Sequence, residues 1–202
     1  MTPEQAAALQ PFLTRRSTAA LFPPAPAADE IDAILAVAAS VPDHGGLRPW
    51  RFVVVSGDAR QAFGEALVHA ALEVDADLDG EARERIRAKA FVAPALIAVA
   101  ARVATSAKVP AWEQVASASC AGYAIALAAH QLGLGAIWKS APFHEGVAIQ
   151  KVLDLSPDDV FLGWVNLGQR GPERGTDLRP RPDIGEVART LAVDGTPAPY
   201  GS

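Results

Sequence analysis

The chain has 202 residues, 50% of them apolar and 20% charged, with a formal net charge of −5. That length fits one substantial domain, and the apolar share supports a packed core over disorder. The acidic balance, with no long basic run, argues against nucleic acid or an anionic membrane surface as a partner. A single cysteine, Cys120, excludes an internal disulfide and any CxxC pair, and fits a reducing cytoplasm. The short apolar run at the N-terminus has its arginines after it, the reverse of a signal peptide, and no stretch is long and apolar enough to span a bilayer.

In chain order, Thr2, Pro3 and Gln5 form a Thr-x-x-Gln box with proline at the first helical position, predicting a helix to about Leu13. The proline-rich residues 21–28 read as a stiff connector. A helix follows from Asp29, with Ile31, Ile34, Leu35 and Ala38 at helical spacing, and ends before Pro42. "RFVVVSG" reads as a strand. Two helical patterns follow, one from Asp58 and a more charged one at "GEARERIRAKA". "APALIAVAARV" is continuously apolar and suits a central strand buried on both faces. The longest helix opens near Pro110 and is closed by Gly133; it is apolar nearly all round, as a central buried helix would be. "GAIWKSAP" reads as a strand and loop, "FHEGVAIQKVLDL" as a helix and "SPDDVFLGWVNLG" as a turn and strand. "RGPERGTDLRPRP" is a loop, "DIGEVARTLAV" a final helix, and the tail has no core pattern. Helices and strands intersperse without strict βαβ alternation, which favours an α+β layer fold in one domain.

No GxGxxG, P-loop, HExxH or GxSxG motif occurs, and the four histidines are far apart in sequence, so no metal site is expected. Three separated loops carry the candidate chemistry. Arg15, Arg16 and Ser17 could cradle an anion, or the arginines could simply complement the C-terminus of the first helix; on the segment alone the second reading is favoured. His44 and Arg48 in "PDHGGLRPW" are either donors toward a ligand or parts of a turn bent by Gly45 and Gly46. Trp138, Lys139 and Ser140 end a strand, where binding groups gather, although a surface lysine and a core tryptophan would look the same. Arg179 and Arg181 lie in the Gly/Pro/Arg loop. Cationic and hydrogen-bonding groups on several loops, without a nucleophile or dyad, suit a bound cofactor that carries the chemistry.

Four motifs, in this order, resemble the nitroreductase family of flavoproteins: "RRS", "PDHGGLRPWRF", "VPAWEQ…SASCAGYAIALAAHQLGLGAIWKS" and "FLGWVNLG". The resemblance runs from about Leu9 to Gly168 and is nearest to a small branch of the family. It implies an α+β fold with a central, mostly antiparallel sheet flanked by helices, in an intertwined homodimer with FMN at the subunit interface. It implies hydride transfer from NADH or NADPH through the flavin to a small aromatic acceptor, nitroaromatic or quinone-like, by a ping-pong scheme. Arg15, Arg16 and Ser17 would hold the phosphate and ribityl chain, and Trp138, Lys139 and Ser140 would lie along the same flavin. Ser40 and His44 would reach the flavin of the other subunit. Arg48 stands where many relatives have glutamine and is a further contact, and Arg181 stands near a phosphate-contacting basic position. Ala19 replaces a basic residue common in the wider family, which makes Lys139 the candidate for the flavin's pyrimidine edge. The segment "EVDADLDGEARERIRAKA" is short where larger relatives carry a lid, implying an open site.

Two other functions fit less of the chain. A flavin-binding protein for storage or sensing would share the cofactor site without useful turnover. A hydrolase using Asp43 and His44 lacks a nucleophile, and adjacent residues rarely face each other productively.

Overall fold

Thr2, Pro3 and Gln5 start the first helix in the computed structural model, which describes residues 1–104, 108–171, 182–193 and 195–200. Helix α1 (Pro3–Thr14) has the full capping box: the Gln5 N–H donates to Thr2 Oγ1 at 3.2 Å and the Thr2 N–H to Gln5 Oε1 at 2.8 Å. None of its residues is buried, and Leu9 and Phe12 lie open on its surface. The chain divides into two compact units, Met1–Gly171 and Pro172–Ser202.

The first unit is built on a five-stranded sheet. Its strands are β1 (Leu21–Phe22), β2 (Trp50–Ser56), β3 (Ala95–Ala101), β4 (Gly135–Lys139) and β5 (Val160–Arg170). Every pairing is antiparallel, and the order is β1-β5-β3-β2. β4 pairs with residues 164–168 of β5, and β1 continues along the same edge at Gln169 and Arg170. All seven residues of β3 are buried, as its unbroken apolar run predicts for a central strand covered on both faces.

Alternation along the strands makes two cores. Leu96 and Ala98 of β3 and Trp164 of β5 face one side with Phe63, Leu67 and Ile149. Those last residues come from α3 (Ala59–Val74) and α6 (Val147–Val152). Ile97, Val99 and Val165 face the other side with Ile34 and Ile125, carried by α2 (Ala28–Ala38) and α5 (Ala111–Gln131). The charged α4 (Gly80–Arg87) buries no side chain and ties to α3 through Arg87, whose Nε donates to Glu65 Oε1 at 2.7 Å. Arg87 holds the Glu65 carboxyl below the usual carboxylate range, chiefly by this hydrogen bond.

The second unit departs from the sequence expectation. The final helix, α7, is only Ile184–Val187, and the rest of the expected helix becomes β6 (Arg189–Leu191). β6 pairs with β7 (Pro197–Pro199) in the tail, where no element was foreseen. The turn between them is closed by the Gly195 N–H donating to Ala192 O at 2.9 Å. Among the described residues no helix is long and apolar enough to cross a membrane.

Candidate functional site

Helix α5 is the platform on which the candidate loops assemble. At its N-terminal end, His44 Nδ1 lies 2.7 Å from Glu113 Oε2, and Ser117 Oγ donates to Pro42 O. At its middle, the Arg15 guanidinium carbon lies 5.7 Å from the centre of the Tyr123 ring, a cation–π contact. The Trp138 ring lies on Gly122, where a Cβ would come within 2.4 Å of Trp138 Cη2. At its C-terminal end, His130 Nε2 lies 3.1 Å from Thr14 Oγ1.

Two of the three predicted segments therefore meet. The Thr18 N–H donates to Ala136 O at 2.9 Å, laying the residues after α1 along the start of β4. Arg15 and Trp138 then sit on adjacent α5 residues, Tyr123 and Gly122. The third segment stands apart: Glu113 and Tyr123 are ten residues apart on one helix, which at 1.5 Å per residue is about 15 Å along its axis. Within one chain, the His44 contact belongs to a different end of the platform from the Arg15 contact.

Among the described residues the Arg15–Arg16 segment is short of anions. Arg16 Nη1 donates to the carbonyls of Leu13 at 3.0 Å and Arg15 at 2.9 Å, but its buried Nε has no hydrogen-bond partner among the described residues. A buried donor left unpaired is costly, and more so on a cation. Arg170, at the end of β5, donates from Nε to Leu134 O at 2.8 Å and from Nη2 to His130 Nδ1 at 2.5 Å. Among the described residues no carboxylate pairs with Arg15, Arg16 or Arg170. Burial holds the His130 pKa below its usual value, and the charges of Arg170, Arg15 and Arg16 push it the same way. Three cations with no carboxylate partner among the described residues, around a neutral imidazole, make a place that a dianionic phosphate would complete.

The end of β4 is shaped by its neighbour. β5 carries an irregularity: Val99 pairs with Gly163 and Ala100 with Phe161, leaving Leu162 unpaired between them. Leu162 O accepts from Trp138 Nε1 at 2.9 Å, which fixes the indole. Gly163, at φ +102°, lets the Lys139 carbonyl approach so closely that a Cβ there would lie 2.1 Å from it. Lys139 and Ser140 follow, exposed, beyond this pinch.

The "PDHGGLRPW" segment is a turn, as its glycines predict. Gly45 and Gly46 turn the chain with φ of +79° and +67°, and Arg48 is itself at φ +48°. Its N–H is held by Asp43 Oδ2 at 2.7 Å, so a non-glycine residue is locked in the left-handed region with an exposed side chain. Ser40 Oγ donates to Val37 O at 2.8 Å. Arg181 and Arg179 lie outside the described residues.

Sequence reasoning missed Arg170, His130, Tyr123 and Glu113, the residues that join the segments. The small residues Ala118, Ala121 and Gly122 of α5 are buried within the chain. The exposed stripe is Trp112, Ala116, Cys120 and Tyr123, a helical repeat without a charge.

A sequence model of the Nitroreductase family matches residues 13–169. A protein of Escherichia coli (strain K12) that carries the name NAD(P)H nitroreductase YdjA is 35% identical over 161 residues, 80% of this chain and 87% of that protein. Among solved structures, the nitroreductase-like family protein from Bacillus cereus matches with a TM-score of 0.76 at 21% identity, over 95% of this chain and 98% of that one. The nitroreductase with bound FMN from Bacteroides fragilis NCTC 9343 matches with a TM-score of 0.62 at 21% identity, over 87% and 97% of the two chains. At these identities the two structures attest the fold.

Proposed function

The chain belongs to the nitroreductase family, and from that premise we propose that it is an FMN-dependent oxidoreductase passing hydride from NADH or NADPH to nitroaromatic or quinone-like acceptors by a ping-pong scheme. The observation that carries the cofactor is the arginine cluster: Arg16 has a buried Nε with no partner among the described residues, beside Arg15 and Arg170, where the family resemblance puts the FMN phosphate. When bound, FMN supplies the hydride chemistry at its N5 position.

The chain's own residues supply position and charge. Arg15 and Arg16 meet the phosphate, and Ser17 the ribityl chain. Lys139 sets a positive charge at the pyrimidine edge, and Ser140 a hydroxyl beside it. Trp138, its N–H already donated to Leu162 O, is a fixed wall of the site rather than a hydrogen-bond donor to the flavin.

Ser40, His44 and Arg48 serve the flavin of a second subunit. The separation along α5 supports this, because about 15 Å of helix divides the His44 tether from the Arg15 contact. The exposed faces support a homodimer. Leu9 and Phe12 on α1 and Trp112 and Tyr123 on α5 are 47%, 54%, 68% and 42% exposed, an apolar surface that a second copy would cover.

The test is two half-reactions. Protein reconstituted with FMN is mixed without oxygen with NADH or NADPH, freed of nicotinamide, then given a nitroaromatic or a quinone. Bleaching in the first step and recovery of the yellow colour in the second support the proposal. A protein that retains FMN but is bleached by neither nicotinamide overturns the enzyme and leaves a flavin binder.

A further inference from the structure

The described residues contain a polar chain of which the proposed chemistry uses only the arginine at one end. Arg170 Nη2 lies 2.5 Å from His130 Nδ1, His130 Nε2 lies 3.1 Å from Thr14 Oγ1, and Thr14 Oγ1 lies 2.8 Å from Gln10 O. The direction of every bond follows from its ends. Arginine has no acceptor, so Nδ1 must accept. The imidazole proton is then on Nε2 and points at Thr14 Oγ1, whose own hydrogen goes to the Gln10 carbonyl. The opposite tautomer and the imidazolium both set an N–H against the Arg170 N–H. One ring state out of three satisfies the chain.

Its place in the fold gives it a consequence. α1 buries none of its residues, so apolar packing does little to fix its last turn. Thr14 is the last residue of α1, His130 lies in the last turn of α5 and Arg170 ends β5. Arg15 and Arg16 follow Thr14 directly.

We propose that His130, as the neutral Nε2–H tautomer, is a positioning residue that clasps the end of α1 to α5 and β5 and thereby aims Arg15 and Arg16 at the flavin phosphate. This rests on the FMN reading above. Among the described residues, the charged groups facing the ring are Arg170 from β5 and Arg15 and Arg16 from the segment after α1, and no carboxylate pairs with the ring. All three cations oppose its protonation, as the clasp requires.

Two measurements test it. The first is the ¹⁵N spectrum of the imidazole in apoprotein at neutral pH, which needs no cofactor. The expected pattern is protonated Nε2 and bare Nδ1; a protonated Nδ1 overturns the clasp. The second compares FMN with riboflavin, which lacks the phosphate, by fluorescence titration of wild type, His130→Ala and His130→Gln. His130→Ala is expected to weaken FMN by about tenfold and riboflavin by less than about twofold, in the range of one hydrogen-bonded anchor. His130→Gln, whose amide N–H can reach toward Thr14, is expected to recover most of the loss. Equal loss of both ligands would make His130 a merely structural residue, and loss of neither would make the clasp idle; both refute the proposal. If wild type binds no FMN, the cofactor reading fails and the positioning role fails with it, while the tautomer stands or falls on the spectrum alone.

Discussion

Gly163→Ala tests how the end of β4 is built. A Cβ on Gly163 would lie 2.1 Å from the Lys139 carbonyl oxygen, 3.1 Å from its carbonyl carbon and 3.2 Å from Ser140 Cα. Close carbon–oxygen contacts settle near 3.3 Å, so the strands must part by about 1.2 Å. The obstacle is backbone, which cannot swing aside as a side-chain tip does. Holding alanine at φ +102° adds strain of about 1–3 kcal/mol, and the overlap about 1–3 kcal/mol more. If the sheet resists, the apoprotein loses about 2–6 kcal/mol of stability. If β4 yields, the stability loss is smaller and Lys139 and Ser140 move, so the cost appears as weaker FMN binding. Urea unfolding of apoprotein and FMN titration of the same preparation capture both. Gly46→Ala is the control: its φ is also positive, at +67°, but nothing lies within 4 Å of the added Cβ, so it costs only about 1–2 kcal/mol. A Gly163→Ala protein within about 0.5 kcal/mol of wild type, with FMN affinity unchanged, would refute the pinch.

Four further outcomes are expected. Gly122→Ala pushes on the Trp138 ring, 2.4 Å from the new Cβ, and should destabilise by about 1–3 kcal/mol in chemical denaturation; a neutral result would mean the ring is not seated there. Arg16→Ala should weaken FMN about tenfold or more, yet leave apoprotein stability within about 1 kcal/mol, because it also removes an unpartnered buried donor; undiminished FMN affinity would deny Arg16 the phosphate. An Arg15→Ala chain mixed with a His44→Ala chain should give heterodimers with one intact and one doubly damaged flavin site, read by flavin stoichiometry; two singly damaged sites would place His44 and Arg15 of one and the same chain at one flavin and refute the exchange. His130 carries a pKa lowered by burial and by three arginines, so the unfolded chain binds its proton more readily than the folded one. Its contribution is complete above the ordinary value of 6.5 and is lost progressively as pH falls below it. The unfolding free energy of wild type minus that of His130→Gln should therefore rise with pH and level off above about 6.5; a difference that is flat or falls with pH would contradict the lowered pKa.

Much of the frame is written locally in the chain. The Thr2–Gln5 box, the seven buried residues of β3 and the closing glycine after α5 all follow from nearest-neighbour chemistry. The last helix did not, because a helical period in "DIGEVARTLAV" competes with β-branched Thr190 and Val193 and with the Asp-Gly sequence that follows, a hairpin signal. Pairing with residues 197–199 wins after one turn of helix. The segments "RRS" and "IWKS" were visible as polar groups beside apolar ones, but their meeting depends on Tyr123 and Gly122, ordinary residues in an alanine-rich helix. His130 and Arg170 are forty positions apart, a pairing that only the packing of α5 against the end of β5 creates. Gly163 looks like any strand glycine until the register shift beside it is known.

The most direct measurement is the identity and amount of chromophore on the purified protein after incubation with FMN and removal of the excess. The account requires a yellow protein holding FMN in stoichiometric amount, with the released chromophore showing the mass of FMN, and an Arg15→Ala/Arg16→Ala double variant that emerges colourless but folded. A wild-type protein that emerges colourless, or a double variant that keeps its full complement of FMN, would contradict it.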